Sequence, residues 1–412
     1  MEKILFYISM AFGFTHQFGL GQPPYFLKYI IALLWIYYGL SKAVVNKKIL
    51  LHVSRQFAKP VYLCLIATIF FWIIEVPPRW DWGFFGRFLS NSLVLLITIA
   101  ASISATLTFK AKAIDYSFYA LCISLLACVL NSVITFGLPS FLYVVFHMMQ
   151  YVNEELWGTQ YHEVGQYLEV HDATFAFGFY FLYYWLFDKR VFKEKKWHLF
   201  LCIIGMYLGF KRLQIGAIIV TYLFYKIIVD HKKMSLTKKT NIVLYLTFFT
   251  SIIYVALIKY VPVLFLFLDE SRVNLYSFLG DMVSFNPLDI GKGFAYVNDY
   301  LGHYGSTLDY GKYNQGLLPV SHSELTRMYI ELGIVCFFIW LKMLCKSIPN
   351  SIYSFGGTLC VNIYMVMLAY LLFTYLIDNT MTLFATQFAF YMISSHFPTM
   401  MYVDKMNYKK SL

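Results

Sequence analysis

Apolar runs of about 17–25 residues follow one another along the whole chain, each long enough to cross the hydrocarbon core of a bilayer as a helix. Hydrophobic residues make up 59% of the 412 positions and charged ones only 13%, where a soluble domain carries about 25% charged. A soluble enzyme is thereby excluded. Read against breakers, the runs predict twelve helices at about 4–20, 26–41, 60–76, 89–108, 113–136, 169–187, 198–210, 213–229, 241–261, 326–345, 357–377 and 380–400. The expected fold is an all-α polytopic membrane protein, with residues 1–412 as a single integral membrane domain. The first run follows Lys3 but lacks a small-residue cleavage site, and Gly21-Gln22-Pro23-Pro24 leads into the next, so a retained helix is expected. Cys64, Cys122, Cys128, Cys202, Cys336, Cys345 and Cys360 all fall in apolar runs, without the spacing of a metal pair or disulfide framework, and read as small apolar packing groups.

The charges supply an orientation. With the N-terminus inside, Lys42, Lys47, Lys48, Arg55 and Lys59, then Lys110 and Lys112, then Lys189 to Lys196, Lys232 to Lys239, Lys342 and Lys346, and Lys405 to Lys410 all fall on inner connections. Both termini are then cytoplasmic, and the formal charge of +11 reflects topology and not an affinity for nucleic acid. Of the 33 basic residues only seven are arginine: Arg55, Arg79, Arg87, Arg190, Arg212, Arg272 and Arg327. Five of these fall on the outer half. Anchoring needs charge alone, whereas two-pronged binding of phosphate or carboxylate is what a guanidinium does better. Arg79 and Arg87, in a short Trp-rich turn from Pro77 to Phe88, read equally well as anion-binding groups or as groups that snorkel or pair with nearby acids.

Two outer connections exceed the usual length, about 137–165 and about 262–325, the latter between the ninth and tenth predicted helices. The first contains an apolar stretch, Phe141 to Met149, expected to lie along the interface. The second runs through Leu268-Asp-Glu-Ser-Arg272 and Asn286-Pro-Leu-Asp-Ile-Gly-Lys-Gly-Phe294. It closes with Leu318-Pro-Val-Ser-His-Ser-Glu-Leu-Thr-Arg-Met-Tyr-Ile-Glu-Leu-Gly-Ile334. An outer-loop Arg, a Pro-x-x-x-Gly-x-Gly turn, a His-Ser leading to Glu-x-Gly at the next helix, and an earlier Arg in Gly209-Phe-Lys-Arg212-Leu-Gln occur in that order. Together they resemble the O-antigen ligase and Wzy-type polysaccharide polymerase superfamily over about residues 168–345. The usual Ser-Arg of the family reads Lys211-Arg212 here, and the usual Asn after the His is Ser323. The resemblance implies a helical bundle with a large outer loop. Its members transfer a glycan from undecaprenyl diphosphate to an acceptor sugar on the outer face of the bacterial inner membrane, with inversion and without a metal or cofactor.

Such transfer must neutralise charge on the departing diphosphate and remove a proton from the attacking hydroxyl. Arg212 and Arg272 are the expected catalytic cations, and His322 the expected base, since imidazole titrates near neutrality. Arg212 would sit where two apolar spans meet at the outer boundary, a costly place for charge without an anionic partner. Arg272 has Asp269 and Glu270 as local alternatives. Arg327, Glu324, Gly291, Gly293 and His171 are the expected substrate contacts, although each has a structural reading. Ser321 and Glu324 match a capping box, Arg327 and Glu331 share a helix face, the glycines suit a turn, and His171 with Asp172 suits a helix start. Tyr296, Tyr300, Tyr304 and Tyr310 offer either sugar-stacking faces or interface anchors. The outer loops carry no DxD sequence, and the histidines lack ligand spacing, so no metal is expected.

The function expected is polymerisation of lipid-linked repeat units of an O-antigen, capsule or exopolysaccharide. The substrates would be undecaprenyl-diphosphate-linked glycans in the lipid bilayer, with a flippase and a chain-length regulator as pathway partners. A ligase passing finished polymer to another acceptor shares the chemistry. A lipid-linked oligosaccharide flippase is the rival of another class; internal repeats and mid-membrane charges in both halves would mark it, and neither is visible in the sequence.

Overall fold

The computed structural model describes residues 1–15, 26–74, 82–147, 171–190, 192–209, 212–267, 270–304 and 321–411. Among these residues the chain forms helices and no strand. They are α1 (Glu2–Phe14), α2 (Leu27–Ser41), α3 (Val44–Phe57), α4 (Lys59–Ile74), α5 (Trp82–Phe109), α6 (Ala113–Phe136), α7 (Leu138–His147), α8 (His171–Leu186), α9 (Lys196–Leu208), α10 (Arg212–Phe224), α11 (Leu236–Tyr260), α12 (Glu270–Asp281), α13 (Tyr296–Tyr304), α14 (Glu324–Lys342), α15 (Ile348–Ile377) and α16 (Phe384–Ser411). Each of the twelve predicted stretches falls on one of them. Among the described residues three helical stretches, two of them interrupted, are long and apolar enough to cross a membrane: Trp82–Phe136, Leu236–Tyr260 and Glu324–Leu376. The pair Val45–Phe57 and Lys59–Ile74, bent by 63°, makes a fourth if counted as one broken span. The apolar helices Leu27–Ser41, Lys196–Leu208 and Leu213–Val229 are shorter.

The core gathers around α16, which packs on α5, α8 and α15, while α1 lies on α6 and α2 on α5. Serine and threonine allow these helices to approach. Ser92, Thr98 and Ser102 turn their hydroxyls back onto the carbonyls of Phe88, Val94 and Thr98, so that no donor is wasted in the apolar interior. Ser104 donates across to Trp35 O at 2.8 Å, and its backbone oxygen lies 3.1 Å from where a Cβ on Gly39 would stand. That approach is open only to glycine. All seven cysteines are free, five buried and Cys122 and Cys336 half-buried, in helices or the turn following α14.

The expected inner loop at 42–59 is instead the helix α3. Lys47, Lys48 and Arg55 interrupt the apolar run, yet Ile49, Leu50, Val53 and Phe57 recur on one helical face and are buried. Pro60, tolerated in a first turn but not in a helix interior, separates α3 from α4. Likewise the Trp-rich turn is helical from Trp82 onward, where α5 begins, and its residues 77–81 lie outside the described residues. The long segment 262–325, outer only by the charge-based expectation, is structured too: α12 and α13 lie within it, and α7 occupies the apolar stretch of the earlier loop. Residues 16–25, 148–170 and 305–320, which include part of the first predicted helix and the remainder of both outer loops, lie outside the described residues.

At the predicted inner end, anchoring charges are paired. Arg190 Nη2 meets Asp188 Oδ2 at 2.9 Å, and Lys195 bridges Asp188 and Asp115. Burial by itself would raise the Asp188 carboxyl, but the hydrogen bonds from Arg190 and the positive charges of Lys195 and Arg190 outweigh it and hold the group below its ordinary value.

Candidate functional site

Helix α14 is broken about halfway along. Gly333 takes φ 68° and ψ 164°, a conformation essentially reserved for glycine, so the helix is two pieces meeting at an angle. A break of this kind strips the preceding carbonyls of their partners four residues on, and buried carbonyls must be satisfied elsewhere. The outer segment supplies the donors. Lys292 N donates to Ile330 O at 3.2 Å and Gly293 N to Glu331 O at 2.9 Å. Contact is so close that a Cβ on Gly291 would lie 2.7 Å from Glu331 C, with Glu331 O and Leu332 C nearer still. Gly293 completes the turn at φ 98°.

Two further bonds fasten this turn. Phe294 N donates to Thr68 Oγ1 of α4 at 2.8 Å, and Val297 N donates to Glu331 Oε1 at 3.1 Å. Val297 lies in the first turn of α13, so the Glu331 carboxylate caps a helix that belongs to the outer segment. Across α13, Arg87 Nε of α5 pairs with the buried Asp299 Oδ1 at 3.3 Å. Arg87 is therefore a tether, the acid-paired reading of that residue.

The first piece of α14 carries three charges into the core. Glu324, Arg327 and Glu331 are 0%, 1% and 0% exposed. Arg327 Nε stands 2.6 Å from Glu324 Oε2, and its Nη2 donates to Met381 Sδ at 3.2 Å. Glu324 Oε1 accepts from Met381 N at 3.2 Å. The guanidinium carbon lies 5.7 Å from the centre of the Phe294 ring, so the outer segment roofs the cation. Arg327 and Glu324 thus form a paired row on one helix face, with Gly291 and Gly293 packed as a structural turn beside it.

His322 stands at the head of this helix, half-buried between buried Ser321 and Ser323. Its φ of 47° is left-handed, an uncommon state for a residue with a side chain and one that recurs at functional sites. The predicted capping box is corrected here: Ser323, not Ser321, is the N-cap, its Oγ accepting from Thr326 N at 3.3 Å. Glu324 is then the first helical residue and turns inward to Met381 and Arg327. Arg212 opens α10, Arg272 falls in the first turn of α12 and His171 opens α8; the side chains of all three lie outside what is described, as does Tyr310. The rings of Tyr296 and Tyr300 lie 5.7 Å apart along α13, tilted by 31°, and Tyr300 meets Phe278 of α12 at 5.6 Å.

No protein-family model, curated protein or solved structure matches this chain.

Sequence reasoning passed over Glu331 as a capping group and Thr68 as a docking point. Glu331 was detectable as an acid seven residues into an apolar run and followed at two by a glycine, a break signal. Thr68 offers no such signal, because a threonine within an apolar helix reads as any other.

Proposed function

We propose that this protein is a bacterial inner-membrane glycosyltransferase that joins undecaprenyl-diphosphate-linked repeat units of a surface polysaccharide on the outer face of the membrane. In this reading twelve spans run with both termini cytoplasmic. One observation carries it: the two motif pieces about forty residues apart, the Gly291–Gly293 turn and Glu331-Leu-Gly333, are a single bonded unit at the far end of the half-helix that His322 heads. A catalytic constellation requires its supports to be rigid, and this one is held by backbone bonds. His322 is the proposed base for the acceptor hydroxyl. Arg212 and Arg272 are the proposed partners of the diphosphate, and Arg327, buried and paired with Glu324, supports the helix that His322 heads. A ligase reading shares every one of these assignments and differs only in the acceptor.

The test is glycan chain length in a deletion strain complemented with wild type, Arg272→Ala or His322→Ala, with membrane levels of each protein verified. Long polymer from wild type and single repeat units from both variants support the proposal; long polymer from both variants overturns the site. A second reading, transport of lipid-linked oligosaccharide, is favoured by a specific feature. Adjacent helices α14 and α15 are both broken at glycines of φ 68°, and the first carries buried charge, as discontinuous transporter helices do. Reconstituted protein that elongates glycan without moving lipid-linked oligosaccharide across the bilayer excludes that reading, and the reverse result excludes the polymerase.

A further inference from the structure

The first piece of α14 has a second functional face. At 100° per residue, Tyr329 points about 140–160° away from Glu324, Arg327 and Glu331, with Ile330 and Gly333 beside it. There they line an open cavity of about 530 Å³, closed on its other sides by the end of α12, the turn at 283–292 and Ile74 at the end of α4. That volume falls in the range of small-molecule sites, about 300–1,000 Å³.

The lining chemistry narrows the ligand. Asp281 and Asp289 contribute two carboxylates and Lys292 one ammonium, so the cavity repels a diphosphate while offering both acceptors and a donor. The Asp289 carboxylate is held in place, one oxygen taking Asn286 Nδ2 at 2.8 Å and the other Ser284 Oγ. The turn is pinned in addition by Tyr329 Oη donating to Ser284 O at 2.7 Å. Leu288 and Ile74 add apolar surface at the rim. Fixed carboxylates, an ammonium and apolar edges in one cleft suit a polyhydroxylated ring that is neutral or carries an amino group.

We propose that this cavity binds the acceptor saccharide, on the side of α14 opposite the buried cation. The proposal rests on the polymerase reading for the word acceptor, but the binding of a saccharide is tested independently of catalysis. Leu288, 87% exposed at the rim, takes a cysteine without disturbing the core. Leu288→Cys in detergent is labelled with a membrane-impermeant maleimide, with wild type as the blank for its own cysteines. The probes are repeat-unit oligosaccharides released from the source organism's surface glycan and, separately, inorganic diphosphate.

The saccharide is expected to slow labelling about tenfold at about ten times its Kd, and diphosphate to leave it unchanged. Adding Asp281→Ala, at an exposed position, removes the protection while melting with the parent. Labelling that the saccharide does not slow, or that diphosphate slows equally, overturns the proposal. Protection that survives Asp281→Ala overturns it as well, since the carboxylate is then not a ligand. Protection observed in a protein whose His322→Ala variant still makes long polymer keeps the cavity and sinks the catalytic reading. Loss of polymer in that variant without saccharide protection does the opposite.

Discussion

Replacing Gly291 by alanine tests the joint between the outer segment and α14 most directly. The added Cβ would stand 2.7 Å from Glu331 C and closer to two further backbone atoms, none of which can rotate away. The turn must lift, and with it go Lys292 N→Ile330 O and Gly293 N→Glu331 O. Two net backbone hydrogen bonds contribute about 2 kcal/mol, and carbonyls left buried at the break without donors cost about 1–3 kcal/mol more. The segment should therefore open more easily by about 3–5 kcal/mol, on the order of a hundred- to several-thousand-fold in its opening equilibrium. Hydrogen exchange of the purified protein reads this at the amides of 292–297. Gly86→Ala, whose new methyl meets nothing within 4 Å, is the control and should leave exchange there unchanged. If Gly291→Ala exchanges like wild type at 292–297, the turn is not held by that contact and the argument for one bonded unit fails.

Three other perturbations have signs fixed by the same geometry. Glu331→Ala removes the acceptor for Val297 N and should loosen the start of α13 by about 1 kcal/mol, about fivefold in exchange at 297, whereas Glu331→Gln keeps an acceptor oxygen and should stay near wild type. Arg327→Met leaves Glu324 and Glu331 buried without their cation, a loss of about 3–5 kcal/mol; the double variant with Glu324→Gln should recover a large part of the lost melting temperature, and failure to recover any would deny the pair. Asp188 titrates below its ordinary value when folded, so its stabilisation is present above the unfolded pKa of about 3.9 and is lost as pH falls through the folded one. Melting scans below about pH 4 should show a steeper acid loss in wild type than in Asp188→Asn.

How far the residues announced this fold depends on which physical signal each element used. Helix α6 was predicted at 113–136 and found at Ala113–Phe136, because an apolar run bounded by lysines on one side and a glycine on the other leaves little freedom. Helix α3 escaped because hydropathy averages over its basic face; only the spacing of Ile49, Val53 and Phe57 discloses a buried stripe. In the segment 262–325, α12 and α13 are too short and polar for any span criterion; α12 packs on α11, and α13 is held by Arg87–Asp299 and the Glu331 cap, contacts between residues far apart in the chain. At the site, the residue types were legible and the partnerships were not. Arg327 and Glu324 were expected as substrate contacts or a charge row; burial makes the row, and Met381, contributed from the turn before α16, completes it.

The break at Gly333 explains why those partnerships are long-range. A continuous helix satisfies its own carbonyls and has no need of a loop, whereas a helix interrupted inside an apolar bundle must borrow donors or lose stability. Lys292 and Gly293 are those donors, so the outer segment cannot dock without the break, and the break cannot be buried without the segment. The nine residues from Glu324 to Leu332 are consequently held at both ends, by the Ser323 cap and Met381 N at one and by the Gly291–Gly293 turn at the other. His322 inherits its position from that arrangement, and so do the two opposed faces, buried charge on one and the open cavity on the other.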